Sequence, residues 1–388
     1  MKYSIIILVF LFFIQYSSFA QLTVSEKDGK YGYIDKHGNV KIPYIYNEAW
    51  NFNYPGYAYV QKEKKEYLID TLGTEYRLAY NNIDSLSEET RALDLSCSHL
   101  VEIPKRVFMF PLLEILFLDD ANMHAITTLG GIKSLPSEIG TLTNLLVLKL
   151  EKNSIKEIPT EIENLIKLQI LDFGSNQLDT VVSEIGELTS LTHLNLNGNN
   201  LTFLPPEIGN LENLIFLGLN QNMLTSLPYE IGKLKNLEFI YLGMRKNSSE
   251  KFRLPSEFWN LSKLKRLDLN TCLIEELPSE IKNLTELTFL NLEINKLSKL
   301  PIEIGALNKL EVLYLYGNLL TVVPKEIGNL TNLKQLDLSR NKLTFLPKEM
   351  ANLTNLKSLY LIDNNFSETE KEKVRKILPK CKVVFENL

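Results

Sequence analysis

The stretch LTHLNLNGNNLTFLPPEIGNLEN, residues 191–213, decides the fold because its pattern returns every 23 residues. Leucines at its fourth and sixth places alternate with polar residues, which predicts a short strand with one buried face. The pair Leu204-Pro205 ends that arm, because proline lacks an N–H donor and fixes the direction of the chain. Two weaker copies open at Thr90 and Leu113. The regular copies open at Leu145, Leu168, Leu191, Leu214, Leu237, Leu264, Leu287, Leu310, Leu333 and Leu356.

Asparagine recurs at the ninth place of most copies. Its amide can both donate and accept hydrogen bonds, so we expect it to satisfy backbone groups in its own coil and in the next one. Stacked coils would then carry a ladder of amides. The asparagines are Asn153, Asn176, Asn199, Asn222, Asn295, Asn318, Asn341 and Asn364, while Arg245 and Cys272 occupy the same place in two copies.

These residues resemble the leucine-rich repeat family, in the form Leu-x-x-Leu-x-Leu-x-x-Asn-x-Leu-x-x-Leu-Pro-x-x-Ile-x-x-Leu. The resemblance implies an α/β solenoid over residues 91–366, with a curved parallel sheet on the concave side and short helices or irregular segments outside. A stacked array needs closed ends. Ser367 and Glu370 predict a capped helix, and Val383–Phe385 predict a last strand, so residues 367–388 are expected to form the C-terminal cap.

Residues 1–20 are predicted to be an export signal. Lys2 precedes an unbroken apolar run from Ile5 to Ile14, and Ala20 follows a small residue two positions earlier. The run is shorter than the ~20 residues that a helix needs to cross a bilayer. We therefore expect cleavage after Ala20, no integral membrane segment after cleavage, and a secreted, periplasmic or cell-surface protein.

Residues 21–82 predict a small all-β module, followed by a polar linker at residues 83–90. Gly29–Asp35 and Val40–Pro43 are separated by a glycine turn and read as a hairpin, which a partial second copy around Ile69 repeats. The segment resembles the WG β-hairpin repeat, with Tyr31 where tryptophan is usual. That resemblance implies a bacterial surface or secreted accessory module with no known chemistry. Its tyrosines could form a contact surface or the two faces of a small sheet.

Composition argues against several classes of function. With 42 basic and 47 acidic residues the chain carries a formal charge of −5, so we expect no nucleic-acid partner. The histidines and cysteines are too widely spaced to predict a metal site, and the pattern predicts no cofactor, no catalytic residue and no enzyme activity. Whether two of the cysteines pair stays open. These residues are His37, His99, His124, His193, Cys97, Cys272 and Cys381.

Two insertions interrupt the frame, one of nine residues near Asp119–Gly131 and one of four residues within 243–251. Both follow a predicted strand and so lie at one rim of the sheet. Insertions in repeat arrays often map to a binding side, although neutral loop drift is the preferred explanation here.

The third, fifth and seventh places of each copy are predicted to face the concave side. Aromatic residues at such places indicate a contact patch for a partner. Alternatively, these rings pack on one another as cross-strand neighbours and stiffen the sheet. The candidate partner-binding residues are Phe216, Phe239, Tyr241, Arg266, Asp268, Phe289, Tyr314, Tyr316, Asp337 and Tyr360.

The sequence therefore predicts an exported, bacterial, non-enzymatic recognition protein that binds a protein partner on its concave face. A first alternative is a glycan or cell-envelope adhesin that stacks the same rings on sugars. A second is an intracellular signalling scaffold like the Ras-associated leucine-rich repeat group, against which the export signal argues.

Overall fold

The computed structural model describes residues 22–52, 56–80, 83, 86–120, 131–246 and 249–386. The predicted export signal at residues 1–20 lies outside the described residues and stays a prediction. Residues 121–130 of the first insertion and residues 247–248 of the second also lie outside them.

The N-terminal segment folds into antiparallel β-structure. The predicted hairpin is present, and its turn forms because the Asp35 carboxylate accepts hydrogen bonds from the N–H groups of His37 and Asn39, both at 2.9 Å. Gly38 supplies the positive φ of 83° that this turn requires. A three-stranded sheet contains β1 (Leu22–Lys27), β2 (Lys30–Asp35) and β3 (Val40–Tyr46); β4 (Glu48–Ala49), β5 (Tyr57–Lys62), β6 (Lys65–Asp70) and β7 (Glu75–Tyr80) follow as antiparallel neighbours.

The core of this N-terminal module is built on tyrosines. Tyr33 and Tyr46 are almost wholly buried, and the Tyr33 ring meets Phe52 edge-on at 4.8 Å. The Tyr33 hydroxyl donates to the carbonyl of Trp50 at 2.6 Å, which satisfies its polar atom inside the core. The rings of Tyr33 and Tyr46 therefore pack in the core of the module and do not form a contact surface.

The repeats form a parallel sheet with uniform register, as predicted. Within the pair at residues 147–149 and 170–172, Leu148 lies opposite Leu171, and the same register continues from coil to coil. Leucines at the fourth and sixth places, such as Leu194 and Leu196, are fully buried. The strands are β8 (Ala92–Asp94), β9 (Ile115–Phe117), β10 (Val147–Lys149), β11 (Ile170–Asp172), β12 (His193–Asn195), β13 (Phe216–Gly218), β14 (Phe239–Tyr241), β15 (Arg266–Asp268), β16 (Phe289–Asn291), β17 (Val312–Tyr314), β18 (Gln335–Asp337), β19 (Ser358–Tyr360) and β20 (Lys382–Val384).

The outer side consists of short 3₁₀ helices. Most begin directly after a proline in extended conformation, which turns the chain away from the sheet. Glycine follows the buried isoleucine in most coils because the next coil approaches closely: a Cβ on Gly209 would lie 2.6 Å from the Cβ of Glu230. The helices are Lys105–Met109, Ser137–Thr141, Thr160–Asn164, Ser183–Glu187, Pro206–Asn210, Tyr229–Lys233, Ser256–Asn260, Ser279–Asn283, Ile302–Ala306, Lys325–Asn329 and Lys348–Asn352.

The asparagine ladder is present, with one correction. The Asn199 amide donates to Leu196 O in its own coil at 3.0 Å and to Phe173 O at 2.9 Å. Its Oδ1 accepts from the N–H of Leu178 at 2.9 Å. Phe173 and Leu178 belong to the preceding coil, whereas the sequence prediction named the next one. The ladder therefore ties each coil back to the coil before it.

Two coils have Arg245 and Cys272 in place of the ladder asparagine, and these residues form different bonds. Arg245 is buried and donates from Nη1 to the carbonyl of Glu250 at 2.7 Å, so it bonds the inserted loop rather than the preceding coil. Cys272 is buried with its Sγ 3.5 Å from Leu242 O. Burial raises the pKa of the Cys272 thiol, which suits a packing role rather than a reactive one.

The C-terminal cap matches the predicted helix and strand. Helix α1 (Glu368–Ile377) starts at Ser367, whose hydroxyl accepts from the N–H of Glu370 at 3.3 Å. Strand β20 pairs in parallel with β19, and the ring of Phe385 packs on Phe366 at 5.7 Å. Together they cover the last coil.

The N-terminal module and the solenoid share one sheet, because β7 pairs in parallel with β8. The pairing runs without a break from β4 to β20, so the antiparallel strands cover the edge of the first coil. The proposed boundaries at residues 82 and 90 stay predictions. Within the described part of the chain no helix has the length and apolar character that crossing a membrane requires.

Candidate binding surface

The concave face is covered at its N-terminal end by the N-terminal module. Ala92, Ile115 and Val147, all at the third place of their coils, are fully buried. Tyr57 and Tyr59 of β5 pack against the cluster that contains them, and the Tyr59 hydroxyl donates to Asp94 Oδ2 at 3.1 Å. The antiparallel strands therefore curl over the first coils and remove this part of the wall from solvent.

The central aromatic residues pack on one another. Phe216, Phe239 and Tyr241 form one cluster, in which the rings of Phe216 and Tyr241 are 5.5 Å apart. Phe289 and Tyr314 meet edge-on at 5.6 Å. The neighbouring strands bring these rings close enough to bury one another, which is the arrangement that the alternative of cross-strand packing describes, and their role in binding a partner stays a prediction. Buried candidates are Phe216, Phe239, Tyr241, Asp268, Phe289 and Tyr314.

The other four candidates remain half-buried: Arg266, Tyr316, Asp337 and Tyr360. Asp337 and Tyr360 are direct cross-strand partners in β18 and β19. The guanidinium of Arg340 lies 5.4 Å from the Tyr316 ring, and that of Arg266 lies 3.9 Å from the Phe289 ring. The structure thus brings Asp337 and Tyr360 together near the C-terminal end of the concave face. Tyr316 follows β17 in the coil before Asp337, and Arg266 lies apart from them in β15.

Carboxyl groups along the concave face have raised pKa values. Burial raises the pKa of Asp172 to about 7, with the charges of Glu151 and Asp119 adding to the effect. Burial also raises the pKa of Asp268 to about 6 and that of Glu293 to about 8. Of the three, Glu293 is mainly protonated at pH 7, Asp172 is protonated in part and Asp268 is mainly ionised, so the concave face is somewhat less negative than its count of acidic residues suggests.

Comparison with known proteins identifies the repeat. The family model for a leucine-rich repeat region matches residues 245–388, a second leucine-rich repeat model matches residues 143–201, and a WG containing repeat matches residues 31–65. The solved structure of a leucine-rich repeat protein from Leptospira interrogans is 37% identical over 77% of this chain and 81% of that chain, with a TM-score of 0.66. This chain is a leucine-rich repeat protein.

Two further solved structures share its fold. The leucine-rich repeat ectodomain of the Arabidopsis thaliana receptor kinase GASSHO1/SCHENGEN3, solved in complex with CASPARIAN STRIP INTEGRITY FACTOR 2, is 26% identical over 77% of this chain, which spans only 39% of that ectodomain, with a TM-score of 0.59. An internalin from Listeria monocytogenes is 21% identical over 79% of this chain and 93% of its own, with a TM-score of 0.57, and shows the fold alone. No curated protein matches the chain.

The described part of this leucine-rich repeat protein contains no group of three or more histidine, cysteine or acidic side chains arranged to hold a metal ion. Cys97 is exposed, Cys272 is buried and Cys381 is half-buried, and all three are free thiols. His193, which lies on the concave face, has its pKa lowered to about 4 by burial and is therefore neutral at physiological pH.

A second exposed surface of the leucine-rich repeat protein was not predicted from its sequence. Ile294, Leu319, Val322 and Phe345 lie on one rim of the solenoid, beyond the ends of the strands, and are exposed. The sequence does contain a signal for them, because the eighth to sixteenth places differ from coil to coil in charge and apolar content.

Proposed function

We propose that the protein is an exported, non-enzymatic recognition protein that binds a protein partner at the C-terminal half of its concave face. The observation that carries the proposal is the half-buried group of Tyr316, Asp337 and Tyr360 on adjacent coils. Tyrosine offers a large, rigid ring with a polar end, and such residues dominate protein interfaces. Their remaining exposure leaves surface that a partner can still bury.

The shape of the concave face favours the same end. The N-terminal module fills the wall of the first coils, whereas the third place becomes half-exposed at Val312, Gln335 and Ser358. A partner would therefore contact β17 to β19 rather than the whole face. The GASSHO1/SCHENGEN3 ectodomain was solved with a bound factor, which supports binding as the general role of such a surface.

Export belongs to the proposal as well. The apolar run of residues 5–14 and the small residues before Gln21 support cleavage and secretion. An N-terminal sequence beginning at Gln21, obtained from protein secreted by the native cell, is the expected result. An intact Met1 on cytoplasmic protein would contradict export without touching the binding surface.

The binding proposal is tested with the full mature chain as bait, which is used to capture proteins from the extracellular fraction of the native cell. The double variant Tyr316→Ala/Tyr360→Ala should capture at least tenfold less of one defined protein than the wild type does, at an unchanged melting temperature. The matched control is Tyr229→Ala, because Tyr229 is an exposed tyrosine on the outer side. It should retain the captured protein.

Equal capture by the wild type, the double variant and the control would refute a partner at this end of the concave face. A glycan adhesin remains the rival, since Tyr360 and the neighbouring Asp337 carboxylate are also suited to sugar binding. Binding on a glycan array that the double variant abolishes, together with no captured protein, would replace the protein-partner proposal with that rival.

A further inference from the structure

A second surface lies on the rim of the solenoid, outside the concave face. It contains the eighth to sixteenth places of three coils, residues 294–302, 317–325 and 340–348, which we call the basic rim. Its apolar members are well exposed, from 40% at Leu319 to 61% at Ile302. The five exposed apolar residues are Ile294, Ile302, Leu319, Val322 and Phe345.

The basic rim differs sharply in charge from the same places elsewhere. It contains six basic residues and no acidic residue: Lys296, Lys299, Lys325, Arg340, Lys342 and Lys348, all of them exposed. The same places in four earlier coils, at residues 152–160, 175–183, 198–206 and 221–229, contain two basic and two acidic residues. The repeat frame therefore does not require positive charge here, since it forms as well without it.

Backbone bonds align these side chains across the three coils. The N–H of Leu319 donates to Leu297 O at 2.9 Å, and the N–H of Lys342 donates to Leu320 O at 2.8 Å. Gly317 donates in the same way to Ser339 O at 3.0 Å in the next coil. Equivalent places consequently lie in rows, and lysine and apolar side chains of all three coils project from the same side.

The positive charge of the basic rim is largely uncompensated. Among the described residues, the basic side chains of this rim form one ion pair, which joins Arg340 Nε to Asp363 Oδ2 at 3.2 Å. Exposed acidic residues at the same places flank the basic rim, with Glu275 and Glu276 in the preceding coil and Asp363 in the following one. Glu303, Glu326 and Glu349 at the seventeenth place of the three coils are half-buried. The rim thus presents cations and apolar groups together, without acidic side chains among them.

Ile294 adds an independent observation. It lies at the eighth place, which adopts a left-handed conformation in every regular coil, with φ of 52° at Ile294 itself. A β-branched residue is strained there; Thr271 is a second example, while other coils hold residues such as Gly198, Gly317 or Gln221. An exposed, strained isoleucine contributes little to folding, so its presence points to a use on the surface.

We propose that the basic rim docks on an anionic lipid surface, with its lysines and Arg340 against lipid phosphates and Ile294, Leu319, Val322 and Phe345 inserted among the headgroups. Exposed apolar side chains flanked by lysines are the combination that holds proteins at such interfaces. The rows lie on one side of the solenoid, which suits an extended surface. Docking there leaves the concave end around Asp337 and Tyr360 accessible to its own partner.

The probe is the purified full mature chain mixed with vesicles of phosphatidylcholine containing about one quarter phosphatidylglycerol. The chain should co-sediment with these vesicles and bind pure phosphatidylcholine at least tenfold more weakly, with binding reduced by added salt. Lys296→Glu/Lys342→Glu should lower the affinity tenfold or more. Phe345→Ser should lower it several-fold.

Matched controls come from the same rim of earlier coils. Lys152→Glu/Lys156→Glu removes two exposed lysines from the coil that opens at Leu145, and Phe203→Ser removes an exposed phenylalanine from the place that Phe345 holds. Both should leave vesicle binding unchanged. Tyr360→Ala alone, which keeps Arg340 and its ring partner Tyr316 in place, should also leave it unchanged, so this inference and the proposed concave partner fail separately.

No binding to anionic vesicles, or equal losses in the rim variants and their matched controls, would overturn the proposal. Capture of an acidic soluble protein through Lys296 and Lys342 without vesicle binding would overturn it as well, since the rim would then be a protein interface. The substituted lysines and phenylalanines are exposed, and unchanged melting temperatures verify that the variants fold.

Discussion

The coils that open at Leu145 and Leu168 and those that open at Leu310 and Leu333 share a frame but not a surface. Their leucine cores are equally buried, and their asparagines make the same bonds. On the concave side, however, Val147 is fully buried and Val312 is half-exposed. The 23-residue frame thus fixes the core, and the places outside the core decide what each coil can bind.

The largest expected effect tests the cover over the first coils. Val147→Lys places a charge in a closed apolar cluster and should lower the free energy of unfolding by about 3 kcal/mol or more. Val312→Lys, the same change at the same place, should cost about 1 kcal/mol because its ammonium reaches water. Urea denaturation followed by circular dichroism measures both. Equal losses would show that the N-terminal module does not seal the wall.

A smaller effect concerns the raised carboxyl pKa values. Burial raises the pKa of Glu293 to about 8, above the usual glutamate value of 4.5, so the native state binds more protons between those values. Stability from this group is complete below the lower value and is lost as the pH rises through the upper one. Glu293→Gln should therefore stabilise the protein by about 2 kcal/mol at pH 8, after allowance for solvent contact, and by almost nothing at pH 4.

The measurement is the difference in melting temperature between variant and wild type across that pH range. Glu276→Gln is the control, because Glu276 is exposed. Its difference from wild type should stay constant with pH. A Glu293→Gln difference that is equally flat would contradict the burial of that carboxyl.

The smallest expected effect concerns one bond between the N-terminal module and the solenoid. Tyr59→Phe removes the hydroxyl that donates to Asp94 Oδ2 but keeps the ring. A single such bond contributes about 1 kcal/mol. Faster hydrogen exchange in β5 and β8, with β17 to β19 unaffected, is the expected result. Faster exchange along the whole sheet would indicate that the module stabilises every coil.

Periodicity made the solenoid, its amide ladder and its cap predictable, because each depends on spacing along the chain. The family and the fold class were confirmed. The half-buried state of Tyr316 and Tyr360 was not predictable, nor was the burial of Phe239 and Tyr241, because both depend on how closely neighbouring strands bring the rings together. The role of the ten candidate residues in binding stays a prediction.

Two further features could be recognised only in the three-dimensional structure. The packing of β5 over the first coils follows from antiparallel pairing in the N-terminal module, and no residue pattern in residues 21–82 predicts it. The rim residues Leu319 and Phe345 become one surface only when coils are stacked in register. Their charge pattern was present in the sequence, but it has meaning only once the rows are known.

Closure of both ends by different structures also limits how such an array can lengthen. The first coil is hydrogen-bonded to β7 of the N-terminal module, and the last is paired with β20, so another unit added at either end would have to displace a strand that is already paired there. An extra 23-residue segment spliced between two interior coils would find its backbone and amide partners already in place. Duplication within the gene can therefore enlarge the accessible wall while both lids stay unchanged.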